Sequence, residues 1–156
     1  MLVCSKPRRV AGFSLIELMV TVAVAATLAA IVIPTYQSQI RKSRRTEART
    51  AVMDLANREE RYYSVNNDYT DSAVRLGYAQ PGDADAQISN MSVGAGYYTV
   101  TVNHIAANPV AVPPTPATFT ITATPVGTQL KDTACQTFTV DDKGTQTSAP
   151  AADCWN

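Results

Sequence analysis

One carboxylate stands inside a long apolar stretch near the start of the chain. Between Phe13 and Ile33, Glu17 is the single charged side chain. Inserting an ionised acid near the end of such a stretch into a membrane costs about 1 to 3 kcal/mol. Such an acid therefore usually indicates that an oppositely charged group pairs with it. Cleavage just before Phe13 would create a cationic amine within one helical turn, in the same chain or in a neighbouring copy. A cut at this point would therefore supply the charged partner that Glu17 lacks.

The second reactive pair consists of two cysteines near the C-terminus. Cys4 lies in the basic N-terminal segment, which leaves Cys135 and Cys154 in the part predicted to face an oxidising compartment. A disulfide between them is expected. Metal binding is the alternative, although two cysteines and the distant His104 fall short of a zinc site.

Catalytic chemistry is not indicated by any motif. His104 has neither an orienting partner nor a nucleophile nearby in the sequence, and there is no phosphate-binding or dinucleotide-binding glycine pattern. Asp141 and Asp142, with Asp153, could bind calcium, but Asp141–Gly144 is better explained as a turn. We therefore predict no enzyme activity, no cofactor and no metal.

The elements that must position Glu17 follow from the hydropathy pattern. As a helix, residues 13–34 would cover about 30 Å, the thickness of a bilayer's hydrocarbon core. Pro34 lacks a backbone N–H, so a kink is expected there. Residues 35–64 then predict an amphipathic helix, with an apolar stripe at Ala48, Val52 and Leu55, joined by Ala51 and Tyr62.

The segment KPRRVAGFSLIELMV resembles the start of a type IV prepilin. The resemblance implies that residues 1–12 are a basic leader, cleaved between Gly12 and Phe13 by a prepilin peptidase that also methylates the amine of Phe13. In that family the amine of Phe13 and the carboxylate of Glu17 meet between subunits of the filament. The string RYYSVNNDYT and the ending Cys154-Trp155 resemble a minor-pilin subgroup.

The remaining chain predicts a small sheet. Residues 65–96, rich in glycine and polar side chains, are expected to be a connecting loop, and residues 97–156 an antiparallel sheet with a C-terminal disulfide loop. Alternating patterns predict the strands 97–102, 118–123, 137–140 and, near its end, 145–147. The predicted fold class is α+β, with a long N-terminal helix, half transmembrane and half amphipathic, packed on a small antiparallel sheet, the pilin fold.

The charge balance limits the choice of partners. The chain has 13 basic and 13 acidic side chains, and loss of Lys6, Arg8 and Arg9 with the leader makes it mildly acidic. Bulk binding of nucleic acid is therefore not expected. A basic cluster at Arg41, Lys42, Arg44 and Arg45 is interpreted as a solvated collar pairing with lipid phosphate or with acidic groups of neighbouring subunits. A nucleic-acid contact is the alternative interpretation.

By this resemblance, the chain is expected to be a structural subunit of a type IV pilus, a minor pilin promoting assembly, twitching, adhesion or DNA uptake. Its expected partners are other pilin subunits, the prepilin peptidase and N-methyltransferase, the inner-membrane assembly machinery and membrane lipid. It would be a single-pass protein of the bacterial inner membrane with a periplasmic C-terminal domain, and then part of an extracellular pilus.

Three other functions remain open from the sequence. A competence pilin would bind DNA through cations of the globular part, for which Arg75, Lys131 and Lys143 are the candidates. A pseudopilin of a type II secretion system would rely on calcium more than on a cysteine pair. A plain single-pass anchored domain would insert in the membrane without assembling.

Overall fold

The computed structural model describes residues 12–79 and 86–155. The predicted leader therefore lies outside the described residues, except for Gly12. The described chain forms two compact units, one ending at Gln39 and the other beginning at Ile40. The first unit contains the apolar stretch, and the second contains all of the described strands.

One helix, α1, extends from Leu15 to Asn66. It is helical on both sides of Pro34, and a kink at this residue stays a prediction. The helix ends at Asn67, whose φ of 52° is left-handed and whose N–H donates to the carbonyl of Tyr63 at 2.8 Å. Asparagine tolerates this conformation, so α1 runs two residues beyond the predicted end near residue 64.

Five antiparallel strands form one sheet in the order of the chain. They are β1 (Met91–Val93), β2 (Tyr98–Ile105), β3 (Thr118–Pro125), β4 (Cys135–Asp141) and β5 (Gln146–Pro150). A short 3₁₀ helix, Gly127–Lys131, joins β3 to β4. Because every strand pairs with its neighbour in sequence, the sheet is a meander of hairpins. Together with α1, it confirms the predicted α+β architecture.

The core lies between the apolar stripe of α1 and one face of the sheet. Ala48, Val52 and Leu55 are completely buried, as the helical spacing predicted. On the sheet the period-two alternation places one set of side chains on the same buried face, namely Tyr98, Val100, Val102, Phe119, Ile121, Ala123, Phe138 and Val140. All of these core residues belong to the second unit.

Part of the predicted connecting loop is a strand, which corrects the boundary at residue 96. The three residues of β1 pair with β2, with Met91 opposite Val100 and Val93 opposite Tyr98. Gly94 and Gly96, with φ of 55° and 80°, make the tight turn between the two strands. Three residues are too short for a periodic pattern to show, so only the pairing with β2 reveals this strand.

The junction after α1 packs through aromatic side chains. Tyr69 is 7% exposed, and its ring stacks on that of Tyr63 with centroids 4.6 Å apart. It also meets the ring of Phe119 edge to face at 4.7 Å. The tyrosines thus attach the beginning of the loop to the sheet, as expected for amphipathic packing rather than for a ligand site.

Two of the four basic residues in the cluster 41–45, Arg44 and Arg45, are occupied within the chain, which corrects for these two the interpretation as a solvated collar. Arg45 donates two hydrogen bonds of 2.6 Å to the carboxylate of Asp132, which is 4% exposed. The guanidinium of Arg44 lies 3.4 Å over the ring of Tyr97 and donates to Thr128 Oγ1 at 3.1 Å. Both arginines therefore attach α1 to the sheet and the 3₁₀ helix.

A second polar contact reinforces this attachment. The buried Gln129 donates from Nε2 to the Asp132 carboxylate at 3.0 Å and to the Tyr98 hydroxyl at 3.2 Å. Asp132 thus receives donors from α1 and from the 3₁₀ helix. Hydrogen bonding and charge from Asp132 raise the pKa of the Arg45 guanidinium further above its already high ordinary value.

The variant Arg45→Ala should lose about 2 to 3 kcal/mol of unfolding free energy, because it leaves the buried Asp132 carboxylate without its charged partner. Urea denaturation of the full chain in detergent, followed by circular dichroism, measures this loss. The exposed neighbour Lys42 provides the control, since Lys42→Ala should change the unfolding free energy by less than about 0.5 kcal/mol. Equal effects of the two variants would contradict the role of the ion pair.

Candidate functional site

The residues expected to act in assembly lie at the start of α1. Glu17 is in the first helical turn, and Phe13, which precedes the helix, is 78% exposed. The apolar side chains that follow are exposed within this unit, including Leu15 and Ile16. By length and composition α1 can cross a membrane, and its apolar window has none of its residues buried against the chain itself. This surface is available to lipid or to other helices.

The three predicted DNA-contacting cations occupy separate places in the second unit. Lys131 ends the 3₁₀ helix after β3, whereas Lys143 lies in the turn between β4 and β5. Lys131 therefore precedes β4 and Lys143 follows it, so the two lysines flank opposite ends of this strand. Arg75 belongs to the segment after α1. The structure therefore does not bring these three side chains together.

Arg75 instead lines a cavity with two arginines of α1. The cavity has a volume of about 310 Å³, and its walls come from the last turns of α1 and from the segment after it. The residues lining it are Arg58, Arg61, Tyr62, Val65, Asn66, Arg75 and Leu76. We call this site the arginine groove. No acidic side chain lines it among the described residues.

The three arginines of the groove differ in how far they are already occupied. Arg58 donates to the Asp54 carboxylate at 2.9 Å and to the Leu76 carbonyl at 2.8 Å, and it lies over the ring of Tyr78. Arg75 donates to the hydroxyl of Tyr62 at 3.2 Å, and Arg61 is exposed. Arg61 and Arg75 form no ion pair with a described residue, so their charges are available to an anion.

Sequence reasoning selected Arg75 and missed Arg61. The helical spacing of Arg58 and Arg61 was visible, but it does not show that a residue 14 positions later reaches the same place. Tyr62 makes the connection, because its hydroxyl accepts from Arg75. A long-range contact of this kind leaves no local pattern in the sequence.

Glu59 is a second residue that sequence reasoning missed. Its side chain is completely buried beneath the segment after α1, where Oε2 accepts a hydrogen bond of 3.1 Å from the N–H of Thr70. Burial raises the pKa of Glu59 to about 7, and Asp71 adds to the increase. The apolar stripe gave the signal, because Glu59 follows Leu55 at a spacing of four residues.

The C-terminal segment is held by the predicted disulfide. Cys135 and Cys154 are bonded, with Cα atoms 5.8 Å apart. Closing a loop of this length stabilises the fold by about 3 kcal/mol in the chain-entropy model. Trp155 donates from its indole nitrogen to the Thr147 carbonyl at 2.7 Å and meets Phe138 edge to face.

Two family models match the chain. The model described as "Prokaryotic N-terminal methylation motif" matches residues 7–33. The model described as "Type IV minor pilin ComP, DNA uptake sequence receptor" matches residues 34–139, which is most of the chain. The chain belongs to the type IV pilin family. The resemblance of its N-terminal segment to a prepilin is thereby confirmed.

Curated relatives agree with this assignment. The pilin is 38% identical over 68 residues to the Type IV major pilin protein PilA of Myxococcus xanthus, a match that covers 44% of this chain and 31% of the relative. It is 30% identical over 100 residues to the Type IV wide pilus major component PilA4 of Thermus thermophilus, covering 62% and 76%. This chain therefore spans less than a third of the length of the first relative.

A solved type IV pilin structure from Shewanella oneidensis is 25% identical, with a TM-score of 0.45, over 74% of this chain and 98% of that one.

Membership of the family settles the broad class of function. The pilin is a structural subunit and not an enzyme. Its residues 7–33 carry the N-terminal methylation motif. The apolar helix fits anchoring in a membrane before incorporation into a pilus.

The acidic turn between β4 and β5 has a structural explanation. Asp141 accepts hydrogen bonds at its Oδ1 from the N–H groups of Lys143, at 3.0 Å, and of Thr145, at 2.7 Å. These donors lower the pKa of Asp141. Among the described residues no three histidine, cysteine or acidic side chains converge to hold a metal ion.

Proposed function

We propose that this pilin is a minor subunit of a type IV pilus, one that promotes filament assembly and contributes to uptake of DNA. The match of residues 34–139 to the ComP minor-pilin model carries the proposal. The arginine groove supports it independently, because it offers two available guanidinium groups in one cavity. A retractile filament of this kind would also serve in twitching and adhesion.

Assembly depends on the first turn of α1. Before assembly, the pilin is a single-pass protein of the inner membrane with its second unit in the periplasm. The assembly machinery then extracts it from the membrane. Cleavage after Gly12 gives Phe13 a free amine, which is then methylated. Packing of apolar helices in the filament removes Glu17 from water, and the amine of Phe13 in a neighbouring subunit compensates its charge.

The variant Glu17→Gln keeps the size of the side chain but removes its charge, so it should enter the membrane normally and reach sheared surface filaments at less than a tenth of the wild-type amount. Quantitative immunoblots of the membrane and filament fractions measure both quantities. Thr21→Val, one turn further along the same apolar stretch, is the control and should assemble normally. Normal assembly of Glu17→Gln would favour a plain anchored domain.

The same filament fractions test the minor role. Counting this subunit against the other pilins by mass spectrometry should place it below about a tenth of the total. Both curated relatives are named as major components, so an abundance near that of the principal subunit would contradict the minor role and leave the structural role intact.

Contact with DNA would use phosphate groups at the arginine groove. Guanidinium groups donate to phosphate oxygens in paired hydrogen bonds, and such contacts are independent of base sequence. Arg61 and Arg75 line the same cavity with no acidic side chain among the described residues of its wall. Lys131 and Lys143, at opposite ends of β4, provide no such concentration of charge.

The double variant Arg61→Gln and Arg75→Gln should weaken duplex DNA binding about tenfold at low salt and reduce the slope of log affinity against log salt by about 2. Fluorescence anisotropy with the full chain in detergent gives both values. The double variant Lys131→Gln and Lys143→Gln removes the same charge elsewhere and should lose less than about twofold. Equal losses of affinity in the two double variants would indicate that binding depends on the net charge of the protein and not on the groove. Absence of DNA binding by the wild type at low salt would refute the DNA role.

A further inference from the structure

The carboxyl group of Glu59 is used neither by the assembly motif nor by the arginine groove. The side chain has no exposed surface, and its Oε2 accepts one hydrogen bond, from the N–H of Thr70. Its Oε1 is buried without a hydrogen-bond partner among the described residues. An ionised carboxylate in this position would carry charge on an oxygen that has no donor, which is costly in a buried site.

Hydrogen bonds connect Glu59 to the segment that carries Arg75. Beyond the Thr70 N–H, the Thr70 hydroxyl oxygen accepts from the N–H of Ser72 at 3.2 Å, and the Ser72 hydroxyl oxygen accepts from the N–H of Arg75 at 3.2 Å. At the far end, the Leu76 carbonyl accepts from Arg58 of α1. The segment 70–76 is therefore fixed to the helix at Glu59 and at Arg58. It is also held by backbone hydrogen bonds from Ala73 to Ala86 and from Ile88 to Asp71, and by the buried side chain of Leu76.

Among the described residues, the charged groups that contribute most to the pKa of Glu59 are acidic. Asp71 and Asp68 belong to the segment after α1, and Glu60 belongs to α1 itself. The turn between β4 and β5 adds Asp142, which acts on the neighbouring Tyr69. Burial, then Asp71, Glu60 and Asp68 raise the pKa of Glu59 from an ordinary 4.5 to about 7, whereas the hydrogen bond from Thr70 opposes the increase.

We propose that Glu59 is a proton-dependent latch, whose neutral carboxyl holds the segment 70–76 on α1 and whose ionisation favours release of that segment together with Arg75. When the segment leaves, Glu59 meets water and ionises at its ordinary pKa. The latch is therefore strongest in acid, weakens as pH rises from about 4.5 to about 7, and changes little above that range. Only its effect on DNA binding rests on the proposed function.

Hydrogen exchange of the full chain in detergent tests the latch without DNA. After correction for the intrinsic pH dependence of exchange, protection of the amides in the segment 70–76 should fall up to about tenfold per pH unit between pH 5 and 7 and then level off. Glu59→Gln should remove this dependence. Asp153→Asn neutralises an exposed carboxylate in the C-terminal segment and should retain it.

The titration of Glu59 itself provides a second test of the latch, in the wild type and in a variant of its neighbour Asp71. Carboxyl NMR of the labelled chain should show a Glu59 midpoint near pH 7, and Asp71→Asn should lower it by removing the nearest repulsion. A Glu59 midpoint at its ordinary value, protection independent of pH in the wild type, or a Glu59→Gln profile like the wild type would overturn the latch. If Glu59→Gln does not fold, the direction of the Asp71→Asn shift decides.

The DNA affinity of the groove at pH 5.5 and pH 7.5 then tests the coupling. With the latch, affinity should fall as pH rises, and Glu59→Gln should reduce this fall. Absence of DNA binding at both values, with the exchange profile intact, would refute the DNA role alone. A pH-dependent affinity with a flat exchange profile would refute the latch alone.

Discussion

The second unit depends on the burial of one stripe of α1 against one face of a meander sheet. Ala48, Val52 and Leu55 have no solvent-exposed surface, and the small side chain of Ala48 allows the sheet to approach the helix closely. A buried acidic side chain lies near each end of this stripe. Asp132 meets the helix near Arg45, and Glu59 belongs to the helix itself.

The surroundings of these two acidic side chains differ in whether they compensate a negative charge. Asp132 receives a bidentate arginine and a glutamine amide, so its charge is compensated. Glu59 receives one N–H and is surrounded by other acids, so its charge is not compensated. One end of the attachment is therefore a compensated ion pair, while the other is an acid without a compensating charge.

The same contrast explains how the basic residues are distributed. Arg44, Arg45 and Arg58 are engaged with an aromatic ring or a carboxylate of the fold, so they contribute stability rather than a free cationic surface. Arg61 and Arg75 remain at the groove. A count of basic residues near the membrane would have placed the anion site at residues 41–45, which the ion pair with Asp132 makes unsuitable.

The sequence predicted what is encoded locally. The helical stripe, the alternating strands β2 to β4 and the cysteine pair each leave a pattern within a short window or follow from compartment, and the structure contains all of them. The features that were missed are contacts between distant residues. Arg45 and Asp132 are separated by 87 positions. The place of Glu59 on the apolar stripe indicates that its side chain faces the core, but not which segment covers it.

Binding residues of a protein lie mainly on exposed segments, whereas its packed core mainly provides stability. In this pilin the segment between Thr70 and Leu76 carries Arg75. It is held by polar contacts to α1 and by the buried side chain of Leu76. A binding surface on this segment depends on the contacts that hold the segment in place. In the proposed latch, the protonation of Glu59 therefore also determines whether Arg75 is positioned at the groove.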